Sequence, residues 1–261
     1  MNKKDFSHYE LVQWRKLQTW QRKMEQPQSK TSRFSKNIQN KINRLIPQKI
    51  HDALTTIIRK MVETVLFTSE FVRPPIILSS TLESRETAVA RRMEFYRTTA
   101  AAEGGITGWG GFLAAMADFP LLLTIKLKFL FDIASMYGYD TNKLSERIYL
   151  LYVFQLAFPS PDRKINTLTH LSLWAQFPET LPAGTADFEW YQFQQDYRDY
   201  LDLAKLLQMI PGIGAGVGLV VNYKLLGQLY ETATMCYRMR WLADKSRRTL
   251  LSGKTDGEFH L

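Results

Sequence analysis

Cysteine is nearly absent from this sequence. Cys236 is the single cysteine among 261 residues, so an internal disulfide is excluded. It has no CxxC neighbour, and the four histidines are scattered without an HExxH motif, so the sequence predicts no metal site. The phosphate-binding loop GxxxxGK(S/T) and the nucleophile elbow GxSxG are missing as well. Because no set of residues specifies a reaction, we favour a non-enzymatic protein without a cofactor.

Long uncharged apolar segments are also scarce. Leu206–Tyr223 is uncharged but only reaches the minimum of about 18 residues for a transmembrane helix, and Pro211 and four glycines interrupt it. The apolar segment Thr98–Asp140 contains several charges, each of which costs about 2.5–3.5 kcal/mol at bilayer depth. We expect both segments to form buried hairpins of a soluble or peripheral protein. A pair of helices that dip into the bilayer is the alternative.

Acidic residues are few at the N-terminal end. Residues 1–60 contain 14 Lys and Arg but only four Asp and Glu, so this part carries the whole net charge of +9. The asymmetry indicates an anionic partner, either a membrane surface or a nucleic acid. Because no DNA- or RNA-binding signature accompanies the charge, we favour an anionic membrane surface or lipid and expect no nucleic acid. A basic surface that is merely solvated is the plainer alternative.

The first basic segment, residues 6–25, has the pattern of an amphipathic helix. Its apolar side chains recur every three or four positions, and most of its basic side chains fall off that line. A basic helix with tryptophans on its apolar side can lie in a membrane interface, or it can pack that side against the rest of the protein. We favour packing and leave the interface open, with the two tryptophans as membrane anchors. The residues predicted to contact a membrane or partner are Trp14, Arg15, Lys16, Trp20, Arg22 and Lys23.

Glycines cluster at the start of Thr98–Asp140 and again within Leu206–Tyr230. Several are four residues apart and would share one face of a helix, where small residues allow two backbones to approach closely. Each glycine inside a helix costs roughly 1 kcal/mol of helix stability relative to alanine. Close packing of the glycine faces would have to offset this cost. Glycine loops between helices are the alternative. The predicted helix-packing glycines are Gly104, Gly108, Gly110, Gly111, Gly212, Gly214, Gly216 and Gly218.

Asp118 and Pro120 interrupt the first of these segments. Proline is tolerated in the first turn of a helix, and an aspartate just before it can accept the first free N–H groups. We therefore predict a helix from Phe119 to Tyr137, capped by Asp118 and stopped by Gly138. If the protein is instead an enzyme of unrecognised type acting at the membrane, Asp118 is its one candidate acid.

The motifs in these two segments resemble the EcsC family of bacterial proteins. They are EGGITGWGG at 103–111, ADFPLLL at 117–123, IASMYGYD at 133–140, IPGIGAG at 210–216 and VNY at 221–223. The resemblance extends from Thr87 to Leu242. It implies a mostly helical, cytoplasmic or membrane-associated protein and carries no established reaction. Because the family is named for a gene beside an ABC transporter, it also implies a membrane protein such as an ABC transporter as a possible partner.

Together these patterns predict an all-α fold. The expected parts are a basic amphipathic helix at 1–26, a basic helical region at 27–79, an EcsC-like helical domain at 80–250 and a frayed tail at 251–261. Within the domain we predict an amphipathic helix at 82–103 with Arg85 and Glu86 exposed, a buried helix at 146–158, and further helices at 162–177 and 187–209. The predicted function is that of a cytoplasmic, peripheral membrane protein that binds lipid or a partner.

Overall fold

The computed structural model describes residues 5–26, 48–68, 71, 81–107, 111–158, 163–174 and 214–255. Within these ranges all regular structure is helical and no strand occurs, which confirms the predicted all-α fold. The helices are α1 (His8–Glu25), α2 (Gln48–Phe67), α3 (Leu82–Thr107), α4 (Gly111–Tyr137), α5 (Leu144–Ala157), α6 (Lys164–Leu173) and α7 (Gly214–Thr255). The helix predicted at 187–209 lies outside the described ranges.

Helix α7 is the central element. It is 42 residues long and contacts α1, α3, α4, α5 and α6. Its inward side chains recur every three or four positions, so they form a continuous apolar stripe. The fully buried members of that stripe are Leu226, Leu229, Ala233, Cys236 and Tyr237. The helix continues to Thr255, past the predicted domain boundary at residue 250.

Helix α5 is buried on nearly all sides, as predicted from its unbroken apolar sequence. Its neighbours are α2, α4, α6 and α7. The side chains from Ile148 to Phe154 are buried, apart from the half-buried Tyr152. The helix begins after Lys143 without a side-chain cap, two residues before the predicted start at residue 146. A helix that is apolar all round is stable only in the interior, which is where α5 lies.

Helix α4 begins earlier than the sequence predicted. It runs without interruption from Gly111, so Asp118 lies inside the helix and the predicted cap is wrong. Pro120 also lies within it. An internal proline costs about 3 kcal/mol through the lost hydrogen bond and the clash with the preceding turn. Burial of the apolar residues from Leu123 to Tyr137 offsets that cost, because almost every one of them is removed from solvent.

The end of α4 matches the prediction. Gly138 has a φ of +89° and follows Tyr137, the last helical residue. Its N–H donates to the Ser135 carbonyl at 2.9 Å, and the N–H of Tyr139 donates to the Ala134 carbonyl at 3.0 Å. These two hydrogen bonds form a Schellman motif, in which a left-handed glycine ends the helix and directs the chain away from the helix axis.

No helix of the described ranges combines the length and the apolar character that crossing a bilayer requires.

Candidate functional site

The N-terminal helix α1 starts with a reciprocal cap. The Glu10 N–H donates to Ser7 Oγ at 3.2 Å, and the Ser7 N–H donates to Glu10 Oε2 at 2.7 Å. This capping box satisfies two N–H groups that would otherwise lack partners, and it fixes where the helix begins. It also turns the Glu10 side chain inward, where it is buried.

One face of α1 packs on the body of the protein. Lys245 of α7 donates to both carboxylate oxygens of Glu10, at 2.7 and 2.8 Å. The Tyr9 hydroxyl donates to the Glu86 carboxylate at 2.7 Å. These contacts tie α1 to α7 and α3, so the packing arrangement is the one observed. The buried face consists of Glu10, Gln13, Leu17 and Trp20.

The docking of α1 corrects the role assigned to its tryptophans. Trp20 is only 7% exposed and belongs to the hydrophobic core, so it is not available as a membrane anchor. Trp14 is half-buried and packs against the same core. The two tryptophans therefore stabilise the docking of α1, because both side chains bury apolar surface against the core of the protein.

The predicted basic residues of α1 lie on the opposite, exposed side. We call Arg15, Lys16, Arg22 and Lys23 the basic face; all four side chains are exposed. Residues seven apart lie nearly above one another on a helix, so the four positions form two adjacent rows, each about 10 Å long. The acidic residues of α1 are the inward-turned Glu10 and, at the last position, Glu25.

The predicted glycines are placed only in part. Gly104 lies in α3, Gly111 begins α4, and Gly214, Gly216 and Gly218 lie in the first turns of α7, so these positions are helical rather than loops. Gly108, Gly110 and Gly212 lie outside the described ranges. Their close packing against other helices stays a prediction.

A buried carboxylate, Glu86, joins four helices, although the sequence pattern predicts it on the surface. Glu86 of α3 accepts hydrogen bonds from Arg238 Nε at 2.6 Å and Nη2 at 3.1 Å. It also accepts from the hydroxyls of Tyr9 at 2.7 Å and Tyr137 at 3.1 Å. The expectation that Arg85 and Glu86 are exposed is wrong, because both share the inward face of α3 with Val89. Their spacing of three and four residues from Val89 is the signal that was available.

Two more buried carboxylates have the same kind of arrangement. Glu146 of α5 accepts from Arg240 Nη1 at 2.6 Å and from the Tyr237 hydroxyl at 2.7 Å. Asp132 of α4 accepts from Arg92 Nε at 2.6 Å and from the Tyr96 hydroxyl at 2.8 Å. Each acid is therefore held by a guanidinium and a phenol, as expected when a charge is buried.

The pKa shifts of these groups follow from burial. Burial raises the pKa of Glu146, and the attraction of Arg240 works against that rise. Burial, with the nearby Glu86 carboxylate, raises the pKa of the Tyr137 hydroxyl well above its ordinary value. Burial also raises the pKa of the Cys236 thiol, which keeps it protonated and unreactive. The Glu146 and Tyr137 side chains join helices through their hydrogen bonds.

No cluster of three or more His, Cys, Asp or Glu with metal-binding geometry occurs within the described ranges. The described residues combine an exposed basic face on α1 with helices that are joined by buried ion pairs.

Comparison with known proteins supports the resemblance seen in the sequence. The model of the EcsC protein family matches residues 12–242. This chain belongs to the EcsC family. The match begins at residue 12, well before the start at Thr87 expected from the motifs, so most of α1 and all of α2 are part of the EcsC region. The basic face of α1 therefore lies inside the family's own domain.

Two proteins from Bacillus subtilis (strain 168) are similar to this chain. The protein named Protein EcsC is 41% identical over 226 residues, which cover 86% of this chain and 93% of that protein. The uncharacterized protein YdbA is 32% identical over 162 residues, which cover 62% of this chain and 60% of that protein. No solved structure matches the chain.

Proposed function

We propose that this EcsC protein is a binding protein that associates with anionic membrane surfaces through the basic face of α1. The observation that carries the proposal is the way α1 docks. Glu10, Leu17 and Trp20 are turned into the body, so Arg15, Lys16, Arg22 and Lys23 are presented together to the solvent.

The energetics favour a reversible, salt-sensitive association. A Lys or Arg near an anionic bilayer contributes about 1 kcal/mol, and the four residues of the basic face act on the same surface. Salt weakens this attraction within a Debye length, about 10 Å at 0.1 M. Because Trp20 is in the core, burial of tryptophan in lipid adds little to the electrostatic part of the binding free energy. Binding should therefore fall steeply as the salt concentration rises.

The orientation of the basic face is held by the protein itself. The ion pair between Glu10 and Lys245 and the hydrogen bond from Tyr9 to Glu86 fix α1 on α7 and α3. A helix that is already ordered loses less conformational entropy on binding than one that folds at the membrane. A cytoplasmic location and a partner such as an ABC transporter stay predictions beside this proposal.

Vesicle co-sedimentation tests the proposal. The purified protein is mixed with phosphatidylglycerol or phosphatidylcholine vesicles at low and at high salt. We expect binding to phosphatidylglycerol at low salt, little binding to phosphatidylcholine, and release at high salt. The variant Arg15→Gln, Lys16→Gln, Arg22→Gln and Lys23→Gln should lose most of the binding while its melting temperature is unchanged.

A matched control separates the basic face from net charge. The control variant removes four exposed basic side chains of α2, α3 and α4, through Arg59→Gln, Lys60→Gln, Arg91→Gln and Lys128→Gln. It should keep most of the binding. Equal losses in the two variants, or wild-type binding by the α1 variant, would overturn the assignment to the basic face. A DNA duplex that binds the protein as tightly as the anionic vesicles would move the assignment to nucleic acid.

A further inference from the structure

A cavity of about 340 Å³ opens at the end of the molecule where three elements meet. The first turn of α3 supplies Arg85, and the turn after α4 supplies Gly138 and Tyr139. The late part of α7 supplies the lining residues between Trp241 and Arg248. The volume lies at the lower end of the range for small-molecule sites, about 300–1,000 Å³. None of these residues belongs to the basic face of α1.

The wall of the cavity is strongly cationic. Among the described residues that line it, three are arginines, Arg85, Arg247 and Arg248, and one is an acid, Asp244. That carboxylate accepts a hydrogen bond from the Tyr139 hydroxyl at 2.9 Å. Counted over these described lining residues, the positive charges exceed the negative charges by two, which is close to the charge of a phosphate monoester near neutral pH.

The deepest of these arginines is held in a specific position. Arg85 is only 2% exposed, and its Nη1 donates to the Met136 carbonyl at 3.1 Å. A Cβ added to Gly138 would lie 2.6 Å from the same Nη1. A glycine is therefore required at this position, because any side chain would collide with the guanidinium at the base of the cavity and would be strained by the left-handed backbone conformation. Burial lowers the pKa of Arg85, and the nearby positive charge of Arg248 lowers it further.

We propose that this cavity binds a phosphate monoester, with Arg85 at its base and Arg247 and Arg248 at its mouth. Guanidinium groups present N–H donors in a planar fork that fits phosphate oxygens, and such charge-assisted bonds are among the strong ones in proteins. The aromatic rings of Tyr139 and Trp241 line the remaining wall and would pack against the organic part of the ester. The phosphate can belong to a soluble ester or to a lipid head group.

Calorimetric titration of the full-length protein tests the cavity. The probes are glycerol 3-phosphate, a soluble ester, and short-chain phosphatidic acid, which carries the same phosphomonoester on lipid; phosphatidylcholine of equal chain length is the negative control. We expect the two phosphomonoesters to bind and phosphatidylcholine not to bind. Tighter binding of phosphatidic acid assigns the site to a lipid head group, and equal or tighter binding of glycerol 3-phosphate assigns it to a soluble ester.

Substitutions at the mouth of the cavity locate the site. Arg247 and Arg248 are exposed, so Arg247→Gln with Arg248→Gln should fold normally and weaken phosphomonoester binding at least tenfold. The control Arg59→Gln with Arg91→Gln removes the same charge from exposed positions outside both the cavity and the basic face, and it should leave this binding unchanged. Arg85→Lys keeps the charge but loses the planar fork, and it should weaken binding as well.

The outcome is independent of the membrane proposal. Failure of both phosphomonoesters to bind the wild-type protein, or equal losses in the mouth variant and the control, would overturn the cavity assignment. Neither result would alter phosphatidylglycerol vesicle binding through the basic face. Conversely, loss of vesicle binding in the α1 variant would leave glycerol 3-phosphate titration unaffected.

Discussion

The Glu86 carboxylate and the Arg238 guanidinium form a two-point ion pair although 152 residues separate them along the chain. The Nε–Oε1 distance is 2.6 Å and the Nη2–Oε2 distance is 3.1 Å. Both residues are almost excluded from solvent, at 7% and 5% exposure. Because Tyr9 and Tyr137 also donate to Glu86, this acid connects α1, α3, α4 and α7.

Removing this carboxylate should destabilise the protein strongly. Glu86→Leu leaves the Arg238 charge buried without its partner, which costs about 3–5 kcal/mol in comparable buried pairs. The measurement is the free energy of unfolding from urea titration. Replacing both residues, Glu86→Leu with Arg238→Leu, should recover much of the loss because no uncompensated charge remains.

A surface pair on the same helix provides the control. Glu94 lies 3.6 Å from Arg97 and is largely exposed, so Glu94→Leu should change stability by less than about 1 kcal/mol. A Glu86→Leu variant that is no less stable than Glu94→Leu would contradict the role assigned to the buried pair.

Alanine at Gly138 should be destabilising for two reasons. The residue has a φ of +89°, which costs a side chain about 1–2 kcal/mol, and the new Cβ would displace the Arg85 guanidinium. Gly227 is the matched control: it lies inside α7, and a Cβ there would have Arg97 Nη2 as its nearest neighbour, at 3.8 Å. Gly227→Ala should therefore stabilise by roughly 0.5–1 kcal/mol. Melting curves of the two variants that shift in the same direction would contradict this account.

Lys126 on α4 should make stability depend on alkaline pH. Burial lowers its pKa from 10.5 to about 8, so the folded protein loses this proton before the unfolded chain does. Between pH 8 and 10.5 the unfolded state binds more protons, and its free energy relative to the folded state therefore rises with pH. The contribution reaches about 3 kcal/mol at the upper end of this window.

The substitution Lys126→Met isolates this contribution. The variant should be more stable than the wild type at pH 7, where the wild-type amine is buried and charged, and the difference should shrink as the pH rises through the window. Lys128→Met, at an exposed position two residues on, should leave the pH profile unchanged. If the free energy of unfolding of the wild type changes with pH in parallel with that of Lys126→Met, this lysine keeps its ordinary pKa in the folded protein and the prediction is wrong.

Local patterns in the sequence were sufficient to predict most of the helical fold. The end of α4 at Gly138 follows from one residue's backbone freedom, and the burial of α5 follows from its unbroken apolar run. The amphipathic pattern of 6–25 predicted α1 and its exposed basic side chains. Each of these features depends on residues within a few turns of each other, so no knowledge of distant contacts was needed.

The features that the sequence did not reveal depend on partners far along the chain. Glu86 appears solvent-facing until Arg238 is known to lie beside it, because a single buried charge would be too costly. The start of α4 was misplaced because Pro120 locally favours a helix beginning there, while burial of the following turns favours a continuous helix. The cavity could not be predicted either, since Arg85, Tyr139 and Arg248 come from three separate elements.

The tryptophans of α1 offer a direct test of how this helix is used. Trp20 is in the core, so Trp20→Ala should cost about 3–5 kcal/mol and lower the melting temperature clearly. Trp14 is half-buried and loses less contact area, so Trp14→Ala should have a smaller effect on melting.

Below its melting temperature, Trp20→Ala should keep the preference for phosphatidylglycerol over phosphatidylcholine, because that preference depends on the basic face. The opposite pattern, with melting unchanged and vesicle binding lost, would mean that α1 leaves the body and inserts its apolar side into lipid. The two outcomes differ because the same indole cannot be buried in the protein core and in the bilayer at once.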